Sequence, residues 1–180
     1  MQHKKSLTTL LTCLSALFLN VNVAQAGTDP TILGVIKLNK TSISQLKKNL
    51  PASCKVKTWN ETMYEIEGKP CFSMIGDPEI LIYTTQSPRK TTNDITSVRF
   101  NFFPSSRKEL LELSQEYLGI LEKKYGPSNK AEANTFKWKI NDTSIELEVM
   151  MPSEKWNSLM LTYHYIGLKN QKKSHTENLL

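Results

Sequence analysis

Glu146 and Glu148 are a close carboxylate pair on an alternating segment, two residues apart. A strand would put both on one face, near the roughly 5–9.5 Å spacing that glycoside hydrolysis asks of its acid and its partner. The preceding run Thr135–Ile140 carries Lys137 and Lys139, however. If the two runs pair so that Phe136 meets Val149 and Trp138 meets Leu147, Lys137 falls opposite Glu148 and Lys139 opposite Glu146. A lysine neighbour keeps a carboxylate ionised, so neither is readied as an acid. The pair therefore reads as cross-strand pairing worth about 0.2–1 kcal/mol each. His164 stands between Tyr163 and Tyr165. A general base needs a nucleophile or carboxylate within reach, and the sequence has no Gly-x-Ser-x-Gly to supply one. The seven glycines are scattered singly, with no phosphate-cradling loop. The sequence thus predicts no catalytic residue, no cofactor and no enzyme.

Three cysteines are present, Cys13, Cys54 and Cys71. Once a leader containing Cys13 is removed, Cys54 and Cys71 are expected to form one disulfide, as paired cysteines do in an oxidising compartment. The closed loop of about 18 residues is worth roughly 3 kcal/mol. A metal site asks for three or four ligands, and only His164 and His175 could be added, so no metal is expected.

Binding is the chemistry left. Met160, Thr162 and His164 alternate along one run, with Trp156 in the turn before it. A face presenting Met, Trp and His suits protein contact, because Met and aromatics are enriched at interfaces; alternatively, Trp156 caps the core. Trp59 and Tyr64, beside the disulfide loop, are expected to pack in the core. Asn39, Asn60 and Asn141 begin Asn-x-Thr triplets that read as chance matches, because the leader has a bacterial look.

The elements that must position these groups follow a leader. Lys4 and Lys5, a short apolar run over Leu7–Val23 and Ala24-Gln25-Ala26 are the three parts of a secretory signal, cut after Ala26. Cys13, behind Leu10-Leu11-Thr12, is a poor lipoprotein box, and membrane association is expected only if it were lipidated. The chain after the leader carries 21 basic and 17 acidic residues of the full 23 and 17. They are interspersed, whereas nucleic-acid binding asks for a concentrated patch, so no nucleic-acid partner is expected.

Ser42-Ile43-Ser44-Gln45 is a capping box, followed by Ile43, Leu46 and Leu50 at helical spacing and stopped by Pro51. Ser106-Arg107-Lys108-Glu109 repeats the device before a stripe of Leu110, Leu113, Tyr117, Leu121 and Tyr125, ended by Gly126-Pro127. Strand-like runs precede both helices, over 32–38 and 95–103. Others follow, over 55–59 or 63–67, 71–75 and 79–84, then 135–140, 144–151 and 158–166. The sequence therefore predicts an α+β fold of two related β-α-β-β-β halves, with helices packed on antiparallel sheet. The expected divisions are a signal peptide over 1–26, halves over 27–85 and 95–168, a polar linker over 86–94 and a disordered tail over 169–180.

This layout resembles small exported bacterial proteins built of a short helix on an antiparallel sheet, the SmpA/OmlA-type assembly lipoproteins and the tandem-repeat β-lactamase inhibitor proteins. The stretches that carry the resemblance are Ile32-Leu33-Gly34-Val35-Ile36-Lys37-Leu38 before the first helix and Leu121-Glu122-Lys123-Lys124-Tyr125-Gly126-Pro127 before the Trp138 strand. It implies a non-enzymatic binding or assembly role and carries over no functional residue. The expected function is that of an exported, periplasmic or secreted module binding another envelope or secreted protein. The alternatives are carriage of a small ligand, or a hydrolase with an unrecognised site.

Overall fold

The structure is a computed structural model, and it describes residues 29–68, 71–72, 74–84, 93–132, 134–153 and 156–167. The expected signal peptide with Cys13, the tail 169–180 and most of the linker 86–94 lie outside these residues.

Among the described residues ten elements follow in order: α1 (Ile43–Asn49), β1 (Lys55–Thr58), β2 (Met63–Glu67), β3 (Glu79–Thr84), β4 (Ile95–Phe102), α2 (Arg107–Tyr125), β5 (Asn129–Glu132), β6 (Thr135–Ile140), β7 (Thr143–Ser153) and β8 (Trp156–Tyr165). The fold is α+β. Its eight strands form one antiparallel sheet in the order β1-β2-β3-β4-β8-β7-β6-β5. Each helix is thus followed by four strands laid down in meander order, and the last strand of each meander, β4 and β8, pair at the centre.

Alternation decides which face is covered. Val56, Ile66, Ile80, Phe100, Leu161, Leu147 and Phe136 lie in register across seven strands. The neighbouring row runs through Tyr64, Ile82, Val98, Tyr163, Ile145 and Trp138. Both rows join Ile43 and Leu46 of α1 and Leu110, Leu113, Tyr117 and Leu121 of α2 in a single core. The opposite face carries Lys, Glu, Arg, Thr and His, a one-sided pattern that antiparallel sheets allow.

The α1 capping box forms in full: Gln45 N–H donates to Ser42 Oγ, and Ser42 N–H to Gln45 Oε1 at 2.8 Å. At α2 only half of it forms. Glu109 N–H donates to Ser106 Oγ, but the Glu109 carboxylate accepts from Ser105 N–H and Oγ–H at 2.8 and 2.7 Å. Those two bonds hold its pKa below the ordinary carboxylate value. Gly126 closes α2 with φ 84° and donates to Glu122 O. Trp138 Nε1–H then donates to Gly126 O at 2.9 Å, tying the helix end to β6.

Two expected strands are turns. Residues 32–38 reverse direction, because Leu33 and Gly34 both adopt positive φ (53° and 72°) and Ile32 pairs with Ile36 across the bend. Isoleucines 32 and 36 are still buried, so the apolar run reports the core and not the backbone. Among the described residues of 71–75 there is likewise no strand. Gly76 and Asp77 turn the chain there with positive φ, and a Cβ on Gly76 would crowd Phe102 and Leu113 at 3.1–3.2 Å. Both 55–58 and 63–67, offered as alternatives, are strands, and they pair as a hairpin.

The β6–β7 register also differs from expectation by two residues. Phe136 meets Leu147, Trp138 meets Ile145 and Lys137 meets Glu146, while Lys139 faces Ser144. A two-residue connection, Asn141-Asp142 with Asn141 at φ 51°, sets this alignment. A slip of two keeps every side chain on its expected face.

Cys54 and Cys71 stand at disulfide distance, with Cα atoms 5.3 Å apart. Cys54 immediately precedes β1 and Cys71 follows β2, so the pair closes the base of the β1–β2 hairpin at the sheet edge. Gly68 serves that closure, since a Cβ there would meet Ser53 O and Cys71 Sγ.

Candidate functional site

The residues singled out for binding occupy the face of the sheet opposite the helices. Met160, Thr162 and His164 lie along the open side of β8, which is a central strand. Met160 is flanked by Asn101 and Glu148, Thr162 by Arg99 and Glu146, and His164 by Ser97 and Ser144. Trp156 starts the same strand and is 73% exposed, so it does not cap the core. The sheet therefore brings Met160, Thr162 and His164 together, with Trp156 at the end of their line.

Glu146 and Glu148 share this face. Glu146 forms an ion pair with Lys137 at 3.2 Å, both side chains partly exposed. Glu148 stands between Thr135 and Met160, not beside a lysine. Both carboxylates are half-buried on this face, and neither lines the cleft described below.

One transverse row crosses the whole face. From the β1 edge it runs through Lys57, Glu65, Leu81 and Arg99. It continues through Thr162, Glu146, Lys137 and Asn129. Lys57 Nζ pairs with Glu67 at 2.9 Å and Glu65 at 3.7 Å, contacts that raise its pKa, the Glu67 hydrogen bond foremost. It also sits 4.5 Å from the centroid of the Trp59 ring, whose Nε1–H donates to Glu65 Oε2 at 2.9 Å. Trp59 is 55% exposed, so the expectation that it packs in the core is wrong, whereas Tyr64 is buried as expected. The reason is alternation: Trp59 falls on the side of Lys57, opposite the inward-facing Val56, and so joins Lys57 and Glu65 on the open face.

The middle of the face was missed by sequence reasoning. The Arg99 guanidinium lies over the Tyr83 ring, 5.5 Å from its centroid, and its Nε is shielded from water with no acceptor among the described residues. Asn101 donates Nδ2–H to Glu79 at 2.8 Å, while its Oδ1 is also shielded and accepts from no group among the described residues. Ser97 is buried beside them and donates Oγ–H to Tyr163 O at 2.9 Å. The signal was present in the sequence: Arg99 and Asn101 interrupt an apolar strand at alternate positions, opposite Val98, Phe100 and Phe102.

A cleft of about 280 Å³ opens separately, where the start of α2 meets the 75–76 turn. Ile75, Phe103 and Leu113 line it with Glu109, Glu112 and Glu116. Among the described residues no group of His, Cys, Asp and Glu is placed to hold a metal ion. No helix among them is long and apolar enough to cross a membrane.

Comparison with protein-family models, with curated proteins and with solved structures returns no match for this chain.

Proposed function

We propose that this chain is an exported protein-binding module of the bacterial envelope, an assembly factor or an inhibitor of another exported protein, with the open sheet face as its contact surface. The observation that carries the reading is the asymmetry of the sheet. Both helices contribute to one core on one side, and among the described residues no helix lies over the other side of the eight strands. On that side Met160, Leu81 and Tyr83 are half-buried among charged neighbours, with Trp156 exposed at the end of β8 and Trp59 beside the β1 edge. Aromatics and Met within a polar surround are the composition of a contact surface.

The strand order supports an origin in two copies of one unit, a helix followed by a four-strand meander. Ile43 to Arg107 and Glu79 to Thr143 both span 64 positions, with the longer α2 absorbed by tighter connections after it. This phase replaces the β-α-β-β-β unit expected from sequence, because the run before α1 is a turn. It is in keeping with the resemblance to exported helix-on-sheet modules.

The test is crosslinking of the tagged chain in a bacterial envelope, with captured proteins identified by mass spectrometry. Thr162→Arg blocks the centre of the open face, and Leu111→Arg alters the exposed outer side of α2. One stoichiometric partner held by the wild type and Leu111→Arg but lost by Thr162→Arg is the expected result. Capture unaffected by Thr162→Arg, or no capture at all, would remove the reading. A second reading, carriage of a small ligand, draws on the cleft beside Phe103 and predicts a ligand-dependent rise in melting temperature.

A further inference from the structure

We propose that the cleft between the start of α2 and the 75–76 turn is a docking site for a basic segment of a partner protein. A bulky apolar side chain of that segment enters the cleft, and a Lys or Arg beside it meets the carboxylates on the rim. This site stands apart from the open sheet face and does not depend on it.

The interior of the cleft is apolar. Phe102 and Leu113 form its floor and belong to the core. Ile75 and Phe103 flank them at 44% and 67% exposed, large apolar side chains left in water at the mouth. Both walls are fixed before anything binds. Tyr117 Oη–H donates to Ile75 O at 2.9 Å, which ties the turn to α2. Gly76 sits so close to Phe102 and Leu113 that a Cβ would crowd both. A site already ordered loses less on binding. Its volume, about 280 Å³, falls below the roughly 300–1,000 Å³ of pockets that engulf a whole small ligand. It suits one bulky side chain of a larger molecule.

Charge selects what accompanies that side chain. Glu109, Glu112 and Glu116 line the cleft from one face of α2, spread over about 10 Å of helix. None of the described residues that line it is basic. Ser105 N–H and Oγ–H both donate to Oε2 of Glu109, which holds that carboxylate in place. Lys108 reaches Glu112 at 3.7 Å, but 85% of the lysine side chain is exposed, and such a pair holds loosely. Glu116 forms no ion pair among the described residues. Three carboxylates around an apolar floor complement a cation beside an apolar group and repel an acidic or phosphorylated one. After the leader, the basic segments outside the described residues join the sheet at its other end. Arg89 and Lys90 fall between β3 and β4, and Lys169, Lys172 and Lys173 follow β8. Those junctions lie past the aligned Tyr83, Ser97 and His164, whereas the cleft lies past Phe102, about 17 Å away along β4. The placement favours a separate protein as the occupant.

The test is selection of a displayed random decapeptide library on the immobilised protein, with counter-selection on Glu112→Lys/Glu116→Lys, two exposed positions whose reversal leaves the core intact. Peptides that bind only the wild type should carry Lys or Arg next to a bulky apolar residue. Their binding should fall at least tenfold on the double reversal, and on exchange of the peptide's basic residue for Gln. Exchanging that residue for Glu should restore binding to the reversed protein. Phe103→Ser should weaken binding at least fivefold with every charge in place. Thr162→Arg should leave it unchanged, because that substitution lies on the open face. The Gly76 amide resonance should shift on titration with the peptide.

Peptides without a basic residue, or none sensitive to the double reversal, would overturn the site whatever the open face does. Displacement by an equal concentration of spermidine would make the cleft a small-cation site and overturn the peptide. Tighter binding after removal of residues 168–180 would place the chain's own tail there. Self-association abolished by the double reversal would place a second copy there. Either result would overturn the commitment to a separate partner.

Discussion

Removing the Cys54–Cys71 link is the perturbation whose outcome the fold constrains most tightly. The cysteines are 17 positions apart in sequence, and the loop-entropy relation for a ring of about 18 residues gives roughly 3 kcal/mol. The ring holds β1 and β2, and β1 is an edge strand of four residues of which only Val56 is half-buried. Little else anchors that strand, so the loss should appear first there. Urea denaturation of oxidised protein against Cys54→Ser/Cys71→Ser should show a drop of about 3 kcal/mol, with a melting temperature roughly 6–12 °C lower. Hydrogen exchange on the double variant should show β1 amides losing protection well before those of β7 and β8. A loss under about 1 kcal/mol would refute the entropy argument. Equal loss of protection across the whole sheet would refute the claim that the link serves the edge hairpin.

Three further outcomes are expected. Trp138→Phe removes the bond from Nε1–H to Gly126 O and leaves a void beneath the end of α2, and should cost about 2–3 kcal/mol by chemical denaturation. Glu146→Gln breaks only an exposed pair with Lys137, and its melting curve should correspond to a change within about 0.5 kcal/mol. Burial pushes the Tyr117 hydroxyl up to about 12, with Glu116 adding to the effect, and raises that of Tyr163 as well. Because the folded state keeps those protons longer than the unfolded chain, stability should hold to about pH 10 and fall as pH rises toward 12. Tyr117→Phe should flatten that decline in pH-dependent denaturation, even though it sacrifices the 2.9 Å bond to Ile75 O.

The parts of this fold legible in the sequence are those where local pattern and tertiary burial agree. The stripe from Leu110 to Leu121 marks α2 because its buried residues follow a single periodicity. Alternation in 135–151 marks β6 and β7 and assigns their faces correctly, but it leaves a two-residue ambiguity that only the Asn141 backbone removes. Residues 32–38 and 71–75 do not form strands because an apolar run does not fix the backbone: Ile32 and Ile36 are buried from a turn, Phe72 and Met74 are half-buried and Ile75 is exposed, while positive φ at Leu33, Gly34, Gly76 and Asp77 decides the path. The face bearing Met160, Thr162 and His164 was visible as a line on one strand. Its centre was not, since Arg99 and Thr162 are cross-strand neighbours separated by more than sixty positions, and nothing local announces that pairing.

The pairing of β4 with β8 also sets the order in which the molecule can be finished. A chain emerges N-terminus first, so α1 and the meander β1–β4 are complete while β8 is still to come. Until then β4, the most thoroughly buried strand of the first meander, ends the sheet with a bare row of amides and carbonyls. Such an edge is an invitation to any other unpaired strand. Its rightful occupant arrives last, after α2 and three more strands, as a long-range closure of the slow kind. The centre of the finished sheet is thus the seam of the unfinished one, and a chain cut short before Trp156 would carry that seam open.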